Sequence, residues 1–74
     1  MVFIEIKKKI LVIDDNKDIC TAIKGYLSNY NYNVNTVQNY QEALNKLNNE
    51  FDLIILDIMM PGMDDLKYSI LKII

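Results

Sequence analysis

Two uninterrupted apolar runs, Ile10-Leu11-Val12-Ile13 and Leu53-Ile54-Ile55-Leu56, limit what this chain can fold into more than any other feature. Neither run alternates with polar residues, so each reads as a strand covered on both faces, as the interior strands of a parallel sheet are. Each run is closed by acid: Asp14-Asp15 follows the first and Asp57 the second. If the two strands lie side by side and end at the same edge, the three carboxylates meet in one pocket. Like charges that close repel one another, and a divalent cation such as Mg2+ is the natural means of holding them together.

The remaining segments supply the other layers. Positions Ile19, Ala22, Ile23, Tyr26 and Leu27 recur at three and four residues and predict one apolar helical face over 17-28. Asn16 or Asp15 caps that helix, and Asp18 sits in its first turn, where exposed amides favour negative charge. The Asn-rich tract 28-33 reads as a turn, because Asn bonds to its local backbone and tolerates left-handed conformations. Val34-Asn35-Thr36-Val37 reads as a shorter strand suited to a sheet edge, and Tyr40, Ala43, Leu44 and Leu47 set a second helix over 40-48, capped by Asn39. Pro61 and Gly62 take the chain out of regular structure after Asp57, and Leu66, Ile70 and Leu71 begin a third helix over 66-74.

The chain thus divides into a leader (1-9), strand 10-14, helix 17-28, strand 34-37, helix 40-48, strand 53-57 and helix 66-74. This alternation is that of an α/β fold, a doubly wound parallel sheet with helices on both faces. Seventy-four residues make one domain at most, and a chain of this size hides only about 60% of the surface it exposes when unfolded. Marginal stability follows.

Composition excludes several functions. There is no Arg, so bidentate guanidinium recognition of phosphate or bases is absent, and the net charge of -2 argues against direct contact with nucleic acid. The lone Cys20 and the absence of His leave no internal disulfide, no Cys/His metal site and no Cys-His nucleophile pair. Cys20 reads as a small buried helical residue. No apolar stretch approaches the ~20 residues needed to span a bilayer, and the N-terminus lacks the order of a secretory signal. The expected compartment is the cytoplasm.

In open parallel sheets, ligands gather beyond the carboxyl ends of the strands where the strand order reverses. With the first strand between the second and third, Asp14, Asp15 and Asp57 would share that crevice. A hard cation there would take carboxylate oxygens, a backbone carbonyl and waters, and Asp57 could attack a phosphoryl group in line. Taken singly, each Asp is more simply a solvated strand end or a helix cap. The pair and the single Asp at the ends of two such strands, followed by Met59-Met60-Pro61-Gly62, are more specific than any one of them.

These stretches, Ile10 to Asn16 and Asp52 to Asp64, resemble the N-terminal part of a two-component response-regulator receiver domain. The resemblance implies a flavodoxin-like fold with strand order 2-1-3, strands 4 and 5 of the family sheet lying outside this chain. It implies that Asp57 accepts a phosphoryl group from a histidine kinase or phosphotransfer protein. It also implies Mg2+ held by Asp14, Asp15, Asp57 and the backbone carbonyl of Met59, with Asp15 binding directly and Asp14 partly through water.

The hydroxyl and lysine that family members carry after the fourth and fifth strands are not in this sequence, and Asp65 stands where Gly is common. Impaired phosphorylation and self-association through an exposed third strand are therefore expected. Three readings stand at this point. One is a phosphorelay receiver, which modifies its own Asp and is not a conventional enzyme. The second is a non-catalytic, degenerate receiver-like interaction module or gene fragment. The third, a phosphohydrolase with an Asp nucleophile, lacks a general acid or base outside the same cluster.

Overall fold

The computed structural model describes residues 1–2, 8–47, 50–57 and 59–61. In chain order these form β1 (Lys9–Ile13), α1 (Lys17–Ser28), β2 (Asn33–Val37), α2 (Tyr40–Lys46) and β3 (Leu53–Leu56). The three strands make one parallel sheet in the order β2-β1-β3, with Ile10 opposite Val34 and Leu53, and Ile13 opposite Val37 and Leu56. This is the doubly wound arrangement expected from the alternating elements. The expected third helix (66-74) and most of the leader lie outside the described residues.

Successive side chains on β1 point to opposite faces, and each face has its own core. Leu11 and Ile13 join Val37, Ala43 and Met60 on the α2 side, with Tyr40, Leu44, Leu47 and Phe51 packed around them. Ile10 and Val12 join Cys20 and Val34 on the α1 side, with Ile23, Leu27 and Ile55 at the margin. The central strand is buried from Ile10 to Ile13, as its unbroken apolar run requires.

Three features differ from the expectations, while the exposure expected of the third strand is found: β3 is only partly covered, and Leu53 remains 52% exposed. The physical reason is position: among the described residues β3 is the outer strand, paired to β1 on one side. α1 presents Cys20, Ile23 and Leu27 to the sheet, while Ile19 is 43% and Tyr26 63% exposed and Ala22 is also exposed. Residues 20, 23 and 27 form the stripe at i, i+3 and i+7 that meets β1 and β2, and the line 19, 22, 26 lies on its flank. β1 and β3 end at Ile13 and Leu56, one residue before the aspartates, because the chain turns there. α2 ends at Lys46, since Leu47 already has extended backbone (φ -66°, ψ 119°) while its N–H still bonds the carbonyl of Ala43.

The connections follow local chemistry. Asn39 caps α2 by accepting from the N–H of Glu42 at 2.8 Å. Asn31 adopts φ 67°, a left-handed conformation that Asn tolerates better than most residues, and lets the turn after α1 lead into β2. At the far end of the sheet the N–H of Lys9 donates to Asp52 Oδ2 at 2.8 Å, and the N–H of Asp52 donates to the carbonyl of Lys9 at 2.8 Å. This pair of bonds sets the start of β3 beside the start of β1.

Candidate functional site

The ladder runs one residue past the strands at their carboxyl ends. The N–H of Asp14 donates to the carbonyl of Val37 at 3.1 Å, and the N–H of Asp57 donates to the carbonyl of Ile13 at 2.9 Å. Both aspartates are thus held by main-chain bonds to a neighbouring strand, and Asp15 follows directly. The structure brings Asp14, Asp15 and Asp57 together: each offers a carboxylate oxygen, and these oxygens lie within 4.8 Å of one another. Asp14 and Asp57 are half-buried and Asp15 is exposed.

Each half-buried carboxylate is oriented by a turn of its own. Asp14 Oδ1 accepts from the N–H of Asn16 at 2.9 Å, and Asp57 Oδ1 accepts from the N–H of Met59 at 3.0 Å. One oxygen of each is spent on the turn and the second is left for a ligand. Among the described residues, none of the three forms an ion pair. Three oxygen donors with no cationic side chain to offset them suit a hard divalent cation better than a soft metal, and Mg2+ fits this donor set. Met59 sits in the loop directly after Asp57, with its side chain 84% exposed.

Three further residues support the pocket, of which Met60 and Cys20 had no expected role there and Asn16 was expected as one of two possible helix caps. Met60 is buried in the α2-side core and anchors the loop after Asp57 from below. Its N–H also approaches the carbonyl of Asp57 at 3.4 Å. Cys20, expected only to be buried, lies against the strand ends. Asn16, rather than Asp15, caps α1: its Oδ1 accepts from the N–H of Asp18 at 2.9 Å and of Ile19 at 3.2 Å. The capping was legible from residue type, but the inward direction of Met60 was not.

Asn16 therefore has two separable parts. Its main-chain N–H orients Asp14, while its side chain satisfies two amides of α1. Substituting Asn16→Ala removes only the second and should cost about 1 kcal/mol of stability, read as a lower urea midpoint. Mg2+ affinity should be unchanged within error, since any residue but Pro supplies the N–H to Asp14; a parallel fall in affinity would contradict this division.

The comparison with known proteins decides the family. A family model described as "Response regulator receiver domain" matches residues 10–69. The chain belongs to the response-regulator receiver family. This receiver is 43% identical over 60 residues to the transcriptional regulatory protein ResD of Bacillus subtilis (strain 168), covering 80% of this chain and 25% of that protein. It is 43% identical over 61 residues to the alkaline phosphatase synthesis transcriptional regulatory protein PhoP of the same organism, covering 81% and 25%. It is 36% identical over 63 residues to the response regulator SaeR of Staphylococcus aureus (strain USA300), covering 85% and 27%. The chain spans about a quarter of the length of these curated relatives. No solved structure matches it.

Receivers of this family serve two-component phosphorelay signalling and are not conventional enzymes. In this receiver, no helix among the described residues is long and apolar enough to cross a membrane.

Proposed function

We propose that this receiver takes a phosphoryl group onto Asp57 from the phosphohistidine of a histidine kinase or phosphotransfer protein, in the cytoplasm, with Asp14, Asp15, Asp57 and the Met59 carbonyl as the Mg2+ ligands. The observation that carries the reading is the convergence of three carboxylates within 4.8 Å at the carboxyl edge of the sheet. A bound Mg2+ would offset the charge of the carboxylates and of the incoming phosphoryl oxygens.

The chain's own residues do the rest. A carboxylate oxygen of Asp57 attacks phosphorus, the P–N bond to the donor imidazole breaks, and its electron pair returns to the ring nitrogen, which takes up a proton. The product is an acyl phosphate on Asp57. The donor bond from Met59 N–H holds one oxygen of Asp57 and so limits the rotation of the carboxylate before attack. Asp14 and Asp15 contribute charge and oxygen donors, and take no part in the bond exchange.

Asp15 is the exposed member of the trio, so its removal separates ligand loss from loss of core packing. Isothermal titration of the Asp15→Ala chain should show Mg2+ affinity reduced by at least about tenfold, with an unchanged circular dichroism spectrum. Native-like uptake by that variant would exclude Asp15 from the ligand set.

A further inference from the structure

Cys20 lies in α1, fully buried, with its sulfur 3.4 Å from the carbonyl oxygen of Asp14 and 3.9 Å from that of Val37. These are the carbonyls at which the chain leaves the sheet beside β1 and β2. A thiol has one proton and is a weak donor, and the nearer acceptor is Asp14. That oxygen belongs to the planar peptide joining Asp14 to Asp15. Among the described residues Asp15 has no hydrogen bond of its own, and this peptide plane fixes where its Cα stands and the N–Cα axis about which its side chain turns.

We propose that Cys20 is a positioning residue for the acidic pocket: its S–H donates to the Asp14 carbonyl and fixes the rotation of the Asp14–Asp15 peptide, and with it the placement of the Asp15 carboxylate. The inference rests on the Mg2+ reading above and extends it to a residue buried beneath the site. Asp14 is then held at its N–H by Val37, at its side chain by Asn16 N–H and at its carbonyl by Cys20. Two of these restraints orient Asp14 itself. The third reaches Asp15.

Three substitutions separate the hydrogen bond from packing. Cys20→Ala and Cys20→Ser leave nearly the same space, but only Ser donates; Cys20→Val fills the space and donates nothing. Mg2+ titration should give Ala and Val affinities about threefold weaker than native, with Ser closer to native. On the unsubstituted chain, the Cβ resonance of Cys20 should shift on Mg2+ addition with the same midpoint as the amide of Asp15, a readout that does not depend on any variant folding.

Equal affinities for Ser and Ala, native affinity in Val, or a Cys20 resonance that stays still while Asp15 saturates would each overturn the positioning role alone. Absence of Mg2+ uptake by the native chain would instead remove the reading on which it rests, and the inference with it.

Discussion

Incubated with Mg2+ and a small acyl phosphate donor, the native chain should gain the mass of one phosphoryl group, and the Asp57→Asn chain should gain none. The substitution is close to isosteric, and the Asn side-chain oxygen can still accept the bond from Met59 N–H that holds the loop. What it removes is the anionic nucleophile, because a neutral amide oxygen does not attack phosphorus at a useful rate. The contrast therefore reports chemistry and not folding. Intact mass spectrometry reads it directly, and an equal gain in both chains would assign the acceptor to another side chain.

The second large effect is on stability. Leu11 is fully buried at the centre of the central strand and packs with Ile13, Val37, Ala43 and Met60. Truncation of such a residue costs about 3 kcal/mol, combining lost burial with the cavity left behind. A chain of this size has on the order of 4–11 kcal/mol in all. Leu11→Ala should thus remove roughly a quarter to three quarters of the total and lower the urea midpoint in the same proportion. Leu53→Ala, at the half-exposed start of β3, should cost less than about 1 kcal/mol. Similar losses at the two positions would show that β3 is as deeply buried as β1, contrary to the observed exposure.

Much of the architecture was legible because apolar runs and acidic residues carry their constraints in their composition. Ile10 to Ile13 lack any polar position, and a strand with no solvent side must lie inside a sheet, where β1 is found. Leu53 to Leu56 have the same pattern but a different environment, since composition does not say whether a strand has one paired side or two. The helix over 17-28 was legible from its period, and Cys20, Ile23 and Leu27 meet the sheet as expected, but Ile19, Ala22 and Tyr26, expected on the same face, are exposed. The period alone did not separate the line 19, 22, 26 from the line 20, 23, 27, and the position of α1 over Ile10, Val12 and Val34 selects the second.

The acidic trio was legible for a topological reason: parallel neighbours ending together must deliver whatever follows them to one edge. The supports beneath it were not. Met60 and Cys20 act through the direction in which a side chain or a carbonyl points, and residue type alone does not encode that direction.

The backbone bonds Asp14 N–H to Val37 and Asp57 N–H to Ile13 tie two acidic residues to three adjoining strands. Neighbouring strands keep a spacing of about 4.8 Å wherever they pair. The spacing of Asp14 from Asp57 is therefore inherited from the lattice of the sheet, while Asp15 is carried by the loop that follows Asp14. Formation of the sheet thus brings these two carboxylates together without a separate docking step.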